Sequence, residues 1–179
     1  MVYIALLRGV NVGGNNILPM KSLAAVCESH GCKSVKTYIQ TGNIVFNASA
    51  KTAAAFPRLL KAQIKKDFGF ETTVILRSVG EWRAVSENNP HLKPGVDTKF
   101  VHVIFLADEP DLTNVVKLNP PSEKDEAFSL RGKEIFLYLP NGAGRSKLAS
   151  YAFDKVLRTV GSMRNWQTVI KLLALAEAS

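Results

Sequence analysis

The order of strand-like and helix-like segments in the first 77 residues constrains the fold more than any other feature of this chain. Val2–Leu7 is a continuous apolar run, as expected for a strand covered on both faces. A loop rich in glycine and asparagine follows, and helical spacing then marks one face of a first helix: Leu23, Val26, Cys27 and His30. Residues 35–40 and Asn43–Asn47 are two further β-type runs joined at Thr41-Gly42, which predicts an antiparallel hairpin.

A second helix and a fourth strand complete this pattern. The helix has its apolar face at Phe56, Leu59, Leu60, Ile64 and Phe68. Pro57 is tolerable only in the first turn of such a helix, so we expect the helix to begin close to it. Residues 72–77 predict the last strand, and the resulting order, βαββαβ, is that of a ferredoxin-like domain.

The second half of the chain predicts a related arrangement. Residues 100–106 predict a strand, 111–118 a helix, 127–130 with 134–139 a hairpin, and 147–158 a helix. A C-terminal helix has its apolar face at Trp166, Val169, Ile170 and Leu173. Turn residues at 88–90 and 93–95 mark a connection. We therefore predict an α+β fold in which a ferredoxin-like subdomain, residues 1–88, packs with a second α+β subdomain, residues 99–179, of order βαββα plus the C-terminal helix.

Composition bounds the function. With 46% hydrophobic and 21% charged residues, the chain has the balance of an ordinary globular protein. Its net charge of +8 is uneven, because residues 1–90 hold 11 Lys/Arg against 5 Asp/Glu and residues 91–179 hold 12 against 10. Such an excess attracts phosphates or nucleic acid, and it is also a common setting for solubility.

The same composition predicts a cytoplasmic location and no bound metal. No apolar stretch reaches the roughly 18 residues of a membrane span. Cys27 and Cys32 form neither a CxxC pair nor a disulfide framework, so we expect two reduced core thiols. The three histidines have no metal-ligand companions at suitable spacing, and we predict neither a metal nor a cofactor. The sequence leaves the oligomeric state open.

Three donor-rich segments are the candidates for a ligand site. The first joins strand one to helix one, and its candidate ligand-binding residues are Arg8, Asn11, Gly13, Gly14, Asn15 and Asn16. Backbone N–H groups at a strand-helix junction favour anions, while arginine and asparagine supply further donors. Glycine and asparagine are equally typical of a turn that needs left-handed backbone angles. Both interpretations remain open, since the spacing matches no known phosphate-binding signature.

The other candidates carry the same ambiguity. In residues 140–147, Arg145, Ser146 and Lys147 have the ingredients of a phosphate cradle, and Ser146 also suits a helix N-cap. In residues 162–168, expected to open the last helix, Arg164 and Asn165 are ligand candidates and Asn165 suits a cap. At the first hairpin, the candidates Thr41 and Asn43 are also explained by turn chemistry.

Four motifs together resemble a known family. They are YIALLRGVNVGG near the start, TYIQTGNIVF, LPNGAGRSKL, and RNWQTVIKL near the end. The chain is similar in these motifs, and in their order, to the bacterial family catalogued as domain of unknown function 1697. The resemblance implies two linked α+β subdomains of which the first is ferredoxin-like. It implies no reaction, substrate or catalytic residue.

Three hypotheses about function follow. The leading one is a protein that binds a phosphate-bearing ligand, either a nucleotide or a nucleic acid, through the donor-rich loops. The first alternative is a small-molecule enzyme that uses the same basic loops to stabilise a negatively charged group. No complete catalytic constellation is present in the sequence to favour it. In the second alternative the motifs are structural and the protein acts through a partner surface.

Overall fold

A four-stranded antiparallel sheet built around the first strand organises the N-terminal part of the protein. The computed structural model describes all residues from Met1 to Ser179. The chain divides into two units, of which the first comprises Met1–Ala84 with Lys171–Ser179 and the second Val85–Ile170. The strands of the first unit are β1 (Val2–Leu7), β2 (Lys33–Tyr38), β3 (Asn43–Asn47) and β4 (Val74–Ser78), in the order β2-β3-β1-β4.

Two helices of the first unit pack against one face of this sheet. They are α1 (Met20–Ser29) and α2 (Ala50–Phe68). Alternate residues of β1, namely Tyr3, Ala5 and Leu7, lie in one core cluster with Leu23, Cys27, Phe56, Leu60 and Ile64 of the helices. The helix residues of this cluster confirm the predicted helix faces, because a period of 3.6 places them on one side of each helix. Ile4 and Leu6, the intervening residues of β1, are also fully buried, so this strand is covered on both faces as predicted. The element order βαββαβ is also confirmed.

Pro57 does not lie in the first turn of α2. The helix begins seven residues earlier, at Ala50, and the Ser49 hydroxyl caps it by accepting a hydrogen bond from Thr52 N at 3.1 Å. Pro57 therefore occupies the helix interior, where it cannot donate to the carbonyl four residues before it. Burial of Phe56 and Leu60 on either side of it contributes roughly 1.5–3 kcal/mol each, comparable to the ~3 kcal/mol that such a proline costs.

The second unit repeats the topology of the first. Its strands are β5 (Val101–Leu106), β6 (Ala127–Arg131), β7 (Glu134–Tyr138) and β8 (Gly161–Asn165), in the order β6-β7-β5-β8. Its short helices are α4 (Leu112–Val115) and α5 (Phe153–Leu157). The helix α3 (Val79–Glu87) and the helix α6 (Trp166–Glu177) each contain a point at which the chain passes between units. The α+β fold with two subdomains is confirmed.

Strand β8 is an element that the sequence did not predict. Residues 161–165 were expected to lead into or open the last helix, but they form an edge strand antiparallel to β5. Its residues, Gly-Ser-Met-Arg-Asn, show no alternation of apolar and polar side chains. Edge strands need not bury a full apolar face, so their pattern is weak.

The helix predicted over residues 147–158 is also wrong, because α5 covers only Phe153–Leu157. The Tyr151 and Phe153 rings form an edge-to-face pair with centroids 4.9 Å apart. Residues two positions apart do not face each other on a helix, so this contact favours the non-helical backbone found at Ala152, with φ −79° and ψ 61°. Separately, none of the helices combines the length and hydropathy that crossing a bilayer requires.

Candidate functional site

The Gly/Asn-rich loop after β1 is a small hairpin of its own. Asn15 N donates to Val12 O at 3.0 Å, and Asn11 N donates to Asn16 O at 3.1 Å. The tip consists of Gly13 and Gly14, both at positive φ (58° and 77°), as a two-residue hairpin turn with left-handed angles requires. The turn interpretation of these two glycines therefore has direct structural support.

Asn11 is fully engaged in holding this loop in place. Its side-chain Nδ2 donates to Leu18 O at 2.9 Å and to Gln40 O at 2.7 Å, and its Oδ1 accepts from Leu18 N at 2.7 Å. Asn11 lies at φ 54°, a conformation that asparagine tolerates better than most residues. Its amide thus joins the loop to the β2-β3 hairpin and has a structural role.

The side-chain amide nitrogens of the other two asparagines, Asn15 and Asn16, contact carbonyl groups of the loop itself. Asn16 Nδ2 donates to Gly9 O at 2.8 Å, and Asn15 Nδ2 makes a long contact of 3.3 Å with Gly13 O. Both residues are exposed. Their side-chain oxygens and the backbone N–H groups of the glycine tip are the groups that the loop can offer to a ligand.

The β2-β3 hairpin lies beside this loop. Asn43 is fully buried, and its Nδ2 donates to Tyr38 O and to Thr41 Oγ1, both at 3.0 Å. Gly42 lies at φ 73°, and its carbonyl accepts from Leu7 N at 2.8 Å. The predicted candidates around Asn11 and around Thr41 are therefore brought together, at the end of the sheet where β1 stops.

A shallow cavity of about 250 Å³ opens on the other side of the loop's first residues. It is lined by Arg8, Gly9, Lys61, Glu71, Thr72 and Thr73. The Arg8 backbone is fixed there, since its N–H donates to Thr73 O at 3.0 Å and its carbonyl accepts from Thr72 Oγ1 at 2.8 Å. The cavity thus combines a predicted candidate with four residues that the sequence analysis did not single out: Lys61, Glu71, Thr72 and Thr73.

Charges of both signs face this cavity. Glu71 forms ion pairs with Lys65, at 2.7 Å, and with Lys61, at 3.5 Å. The hydrogen bond from Lys65 holds the pKa of the Glu71 carboxyl below its ordinary value, and the same bond raises the pKa of the Lys65 ammonium. The Glu71 carboxylate and the Lys65 ammonium are accordingly charged at neutral pH.

In the second unit, the segment after β7 forms turns. Ser146 is buried, and its Oγ accepts from Ala149 N at 3.0 Å, which closes a turn. The helix that Ser146 was expected to cap does not begin here, because α5 starts only at Phe153. Arg145 and Lys147, on either side of it, are exposed. The serine is thus engaged with the backbone, and the two cations face solvent.

Arg164 and Asn165 end β8. Asn165 Oδ1 accepts from Thr168 N at 2.8 Å and so caps α6, as one of its two predicted roles required. The Arg164 guanidinium donates to Ser162 Oγ and to Met163 O, both at 2.8 Å. Burial lowers the pKa of Arg164 to about 10, so the group stays cationic at neutral pH.

The two candidate segments of the second unit, residues 140–147 and 162–168, meet the same end of its sheet, where β7 and β8 stop. β7 and β8 flank β5 and both run antiparallel to it, with Tyr138 opposite Val101 and Asn165 opposite His102. The residues that follow β7 and the start of α6 are therefore two strand spacings apart, roughly 10 Å.

No group of three His, Cys, Asp or Glu residues is placed to hold a metal ion. Cys27 and Cys32 are free and buried.

The profile of a family described as a protein of unknown function, DUF1697, matches residues 1–136. The chain belongs to this family. The predicted family membership is thereby confirmed, and the match extends from β1 into β7. It includes the first two of the four motifs, whereas the other two, in residues 139–148 and 164–172, lie beyond the matched range.

A solved structure of a conserved bacterial protein from Streptococcus pneumoniae has the same fold. It is 23% identical in sequence, the superposition covers 98% of each chain, and the TM-score is 0.76. At this identity the likeness bears on the fold alone. No curated protein matches the sequence significantly.

Proposed function

We propose that the first unit binds a phosphate-bearing ligand, a nucleotide or a nucleic acid, at the cavity beside Arg8. The observation that carries the proposal is the placement of an arginine and a lysine, Arg8 and Lys61, on one cavity with Thr73. Guanidinium and ammonium groups are the usual protein partners of phosphate, and the Thr73 hydroxyl adds a further donor. The Thr72 hydroxyl is already engaged, because it donates to Arg8 O.

The size of the cavity limits what it can hold. At about 250 Å³ it lies below the roughly 300–1,000 Å³ of pockets that enclose whole small molecules. It therefore suits one phosphate group with its attached atoms, and the rest of the ligand would lie on the surface. The arrangement favours recognition of phosphate over recognition of a base.

Glu71 sets the strength of such a site. Its carboxylate already forms ion pairs with Lys61 and Lys65, so a phosphate would have to compete with it for these ammonium groups. Replacing Glu71 by glutamine removes the competing charge and keeps the shape of the side chain. The proposal therefore predicts that Glu71→Gln binds phosphate ligands more tightly than the wild-type protein, whereas a chain without this site would show no gain.

Calorimetric titration at low salt tests the proposal, with pyrophosphate and a panel of nucleotides as probes. Arg8→Ala should lower affinity roughly 10- to 100-fold, since a hydrogen bond to a charged group contributes about 1.5–3 kcal/mol. Lys124→Ala, at an exposed cation of the second unit outside every candidate segment, is the matched control and should bind as the wild-type protein does. Absence of saturable binding, or equal affinity for the Arg8 and Lys124 variants, refutes the proposal.

A second candidate, partner binding, is favoured by one observation. Three large apolar side chains next to the Asn11 bonds are exposed: Val12 by 58%, Ile17 by 60% and Ile39 by 49%. Apolar side chains grouped at one place on a surface are typical of protein contacts. Replacing all three by serine should abolish capture of such a partner while leaving nucleotide titrations unchanged.

Reduced, buried thiols suit the cytoplasm, where we place either activity.

A further inference from the structure

We infer that the ligand of the first unit is a double-helical nucleic acid whose phosphate backbone lies along the outer face of α2. This inference rests on the proposed function, because it extends the cavity beside Arg8 into a longer surface. Lys61 belongs to both, since it lines the cavity and projects from α2. The surface is defined by Lys51, Arg58, Lys61 and Lys65 and is called the α2 stripe.

The excess of positive over negative charge lies in the part of the chain that contains this stripe. Residues 1–66 contain nine lysines and arginines and one acidic residue, Glu28. The other 113 residues contain 14 of each sign, so the first 66 account for the whole excess of +8. A solubility requirement alone would not place the excess in one third of the chain, whereas a polyanion partner would.

The α2 stripe runs along one side of the helix, with Lys51 before Pro57 and the other three cations after it. All four cations are exposed, and at ~100° per residue they fall within about 80° of arc. From Lys51 to Lys65 they extend over roughly 21 Å along the helix axis at 1.5 Å per residue. Phe56, Leu60 and Ile64 occupy the opposite, buried side. The core therefore fixes the direction in which the cations point.

Few neighbouring charges compensate the stripe. Lys51 and Arg58 have no carboxylate partner, and the first turn of α2 contains no acidic residue. Lys61 and Lys65, four residues apart, share the single carboxylate of Glu71. Like charges at this spacing destabilise a helix, so a surface helix without a charged ligand would ordinarily alternate their sign.

The side chains between the cations distinguish nucleic acid from a protein or a membrane. Ala54 is exposed inside the stripe and Ala62 is exposed about 20° beside it, and no large apolar side chain of α2 is exposed. A protein interface needs buried aromatic or apolar anchors, and a membrane-surface helix needs an apolar face to insert. Alanine instead permits close approach of a phosphate backbone, for which cations alone provide affinity.

The absence of exposed aromatic side chains favours a duplex over a single strand. Surfaces that bind single strands stack the bases on aromatic rings. The aromatic residues of α2 are Phe56, which is fully buried, and Phe68, which packs against the core. A helix with cations on one side and no stacking platform suits a duplex contacted at its phosphates, with little sequence preference.

The number of cations gives the expected salt dependence. Four phosphate contacts imply a slope of about −3.6 for the logarithm of affinity against the logarithm of salt concentration. Each lost contact should reduce the slope by about 0.9, so two lost contacts should lower affinity roughly 60-fold at 0.1 M salt.

Fluorescence anisotropy on the full chain tests the inference, with a mixed-sequence RNA duplex, the corresponding DNA duplex and a single strand as probes. The variant Lys51→Gln/Arg58→Gln removes two cations that make no ion pair, and glutamine keeps the helix propensity. The control is Lys124→Gln, at an exposed lysine of the second unit. We expect saturable duplex binding, weakened and less salt-dependent in the stripe variant and unchanged in the control.

The outcomes separate the inference from the proposed function. Nucleotide binding that depends on Arg8, with duplex binding absent or equal in the stripe variant and the control, overturns the inference and leaves the proposed function standing. Duplex binding that depends on the stripe, with no nucleotide binding, supports the stripe and overturns the cavity. Tighter binding of the single strand than of either duplex, or equal binding of polyglutamate, also overturns the inference.

Discussion

The first loop has a structural and a ligand-binding explanation, and substitution of Asn11 by aspartate distinguishes between them. Aspartate keeps the shape of the side chain and the oxygen that accepts from Leu18 N. It replaces the amide nitrogen by a carboxylate oxygen that would lie 2.7 Å from Gln40 O and 2.9 Å from Leu18 O. Two attractive contacts thus become repulsive ones.

The size of the effect follows from the contacts that change. Each lost hydrogen bond costs about 0.5–1.5 kcal/mol, and leaving a buried carbonyl without a donor adds roughly 1–3 kcal/mol. Leu18 is fully buried, whereas Gln40 is exposed and can bond water instead. We therefore expect Asn11→Asp to lower the free energy of unfolding by about 2–4 kcal/mol at pH 7. Asn11→Ala should cost a similar amount, since it loses all three bonds.

Urea unfolding followed by circular dichroism measures this loss, and nucleotide titration of the folded variants supplies the second readout. For a chain of this length, a loss of 2–4 kcal/mol lowers Tm by roughly 4–16 °C. If Asn11→Asp kept the wild-type Tm and lost ligand binding, the structural role derived from these bonds would be refuted. Asn15→Asp changes only a weak, exposed contact and is the matched control.

Three further predictions concern other residues. Gly42→Ala should lower the free energy of unfolding by about 2–4 kcal/mol, because residue 42 lies at φ 73° and the new Cβ would be 2.7 Å from Leu7 Cβ. Gly69 lies at a similar φ of 76° but has no neighbour within 4 Å, so Gly69→Ala should cost only about 1–2 kcal/mol in the same urea titration. Ile39 is β-branched yet lies at φ 49°, so Ile39→Asn should raise the free energy of unfolding by roughly 0.5–1 kcal/mol; a loss would contradict the strain. Burial raises the pKa of Cys32 to about 11 from 9.0, so the folded state retains a proton that the unfolded state releases, and stability should fall between pH 9 and 11. Cys32→Ala should reduce the slope of this part of the pH profile, and the remaining slope should come from Cys27, whose pKa burial also raises.

The sequence was most informative where burial imposes a period. The apolar residues of β1 form a continuous run and those of α2 recur with helical spacing, and both elements were located correctly apart from the start of α2. Pro57 misled because local backbone preference argues against a helix interior, whereas packing of Phe56 and Leu60 outweighs that preference.

Strand β8, which lacks a regular apolar pattern, could not be predicted in the same way. Strand β8 contains a single large apolar residue, Met163, and only the pairing of its residues with β5, such as Arg164 with Val103, defines it as a strand. Such pairing is a tertiary interaction that no local pattern contains.

The candidate site shows the same division between local and distant information. The glycines at the tip of the first loop follow from turn chemistry, and a single sequence suffices to recognise them. Lys61 and Glu71 became candidates only because α2 and the residues before β4 bring them to Arg8. In the sequence Lys61 is one of several exposed helix lysines, and nothing local distinguishes it.

The division of the chain has a consequence for its synthesis. The first unit includes Lys171–Ser179, where Glu177 pairs with Arg83 at 2.8 Å and Ser179 Oγ accepts from Lys36 Nζ at 3.1 Å. A ribosome that adds roughly 5–20 residues per second needs several seconds or more to make the intervening segment. During that interval the nascent N-terminal sheet waits for its last helical segment, and its edge strand β2 lacks the bond from Lys36 to the C-terminal residues. The strongly positive charge of this part of the chain would then oppose association between neighbouring nascent chains.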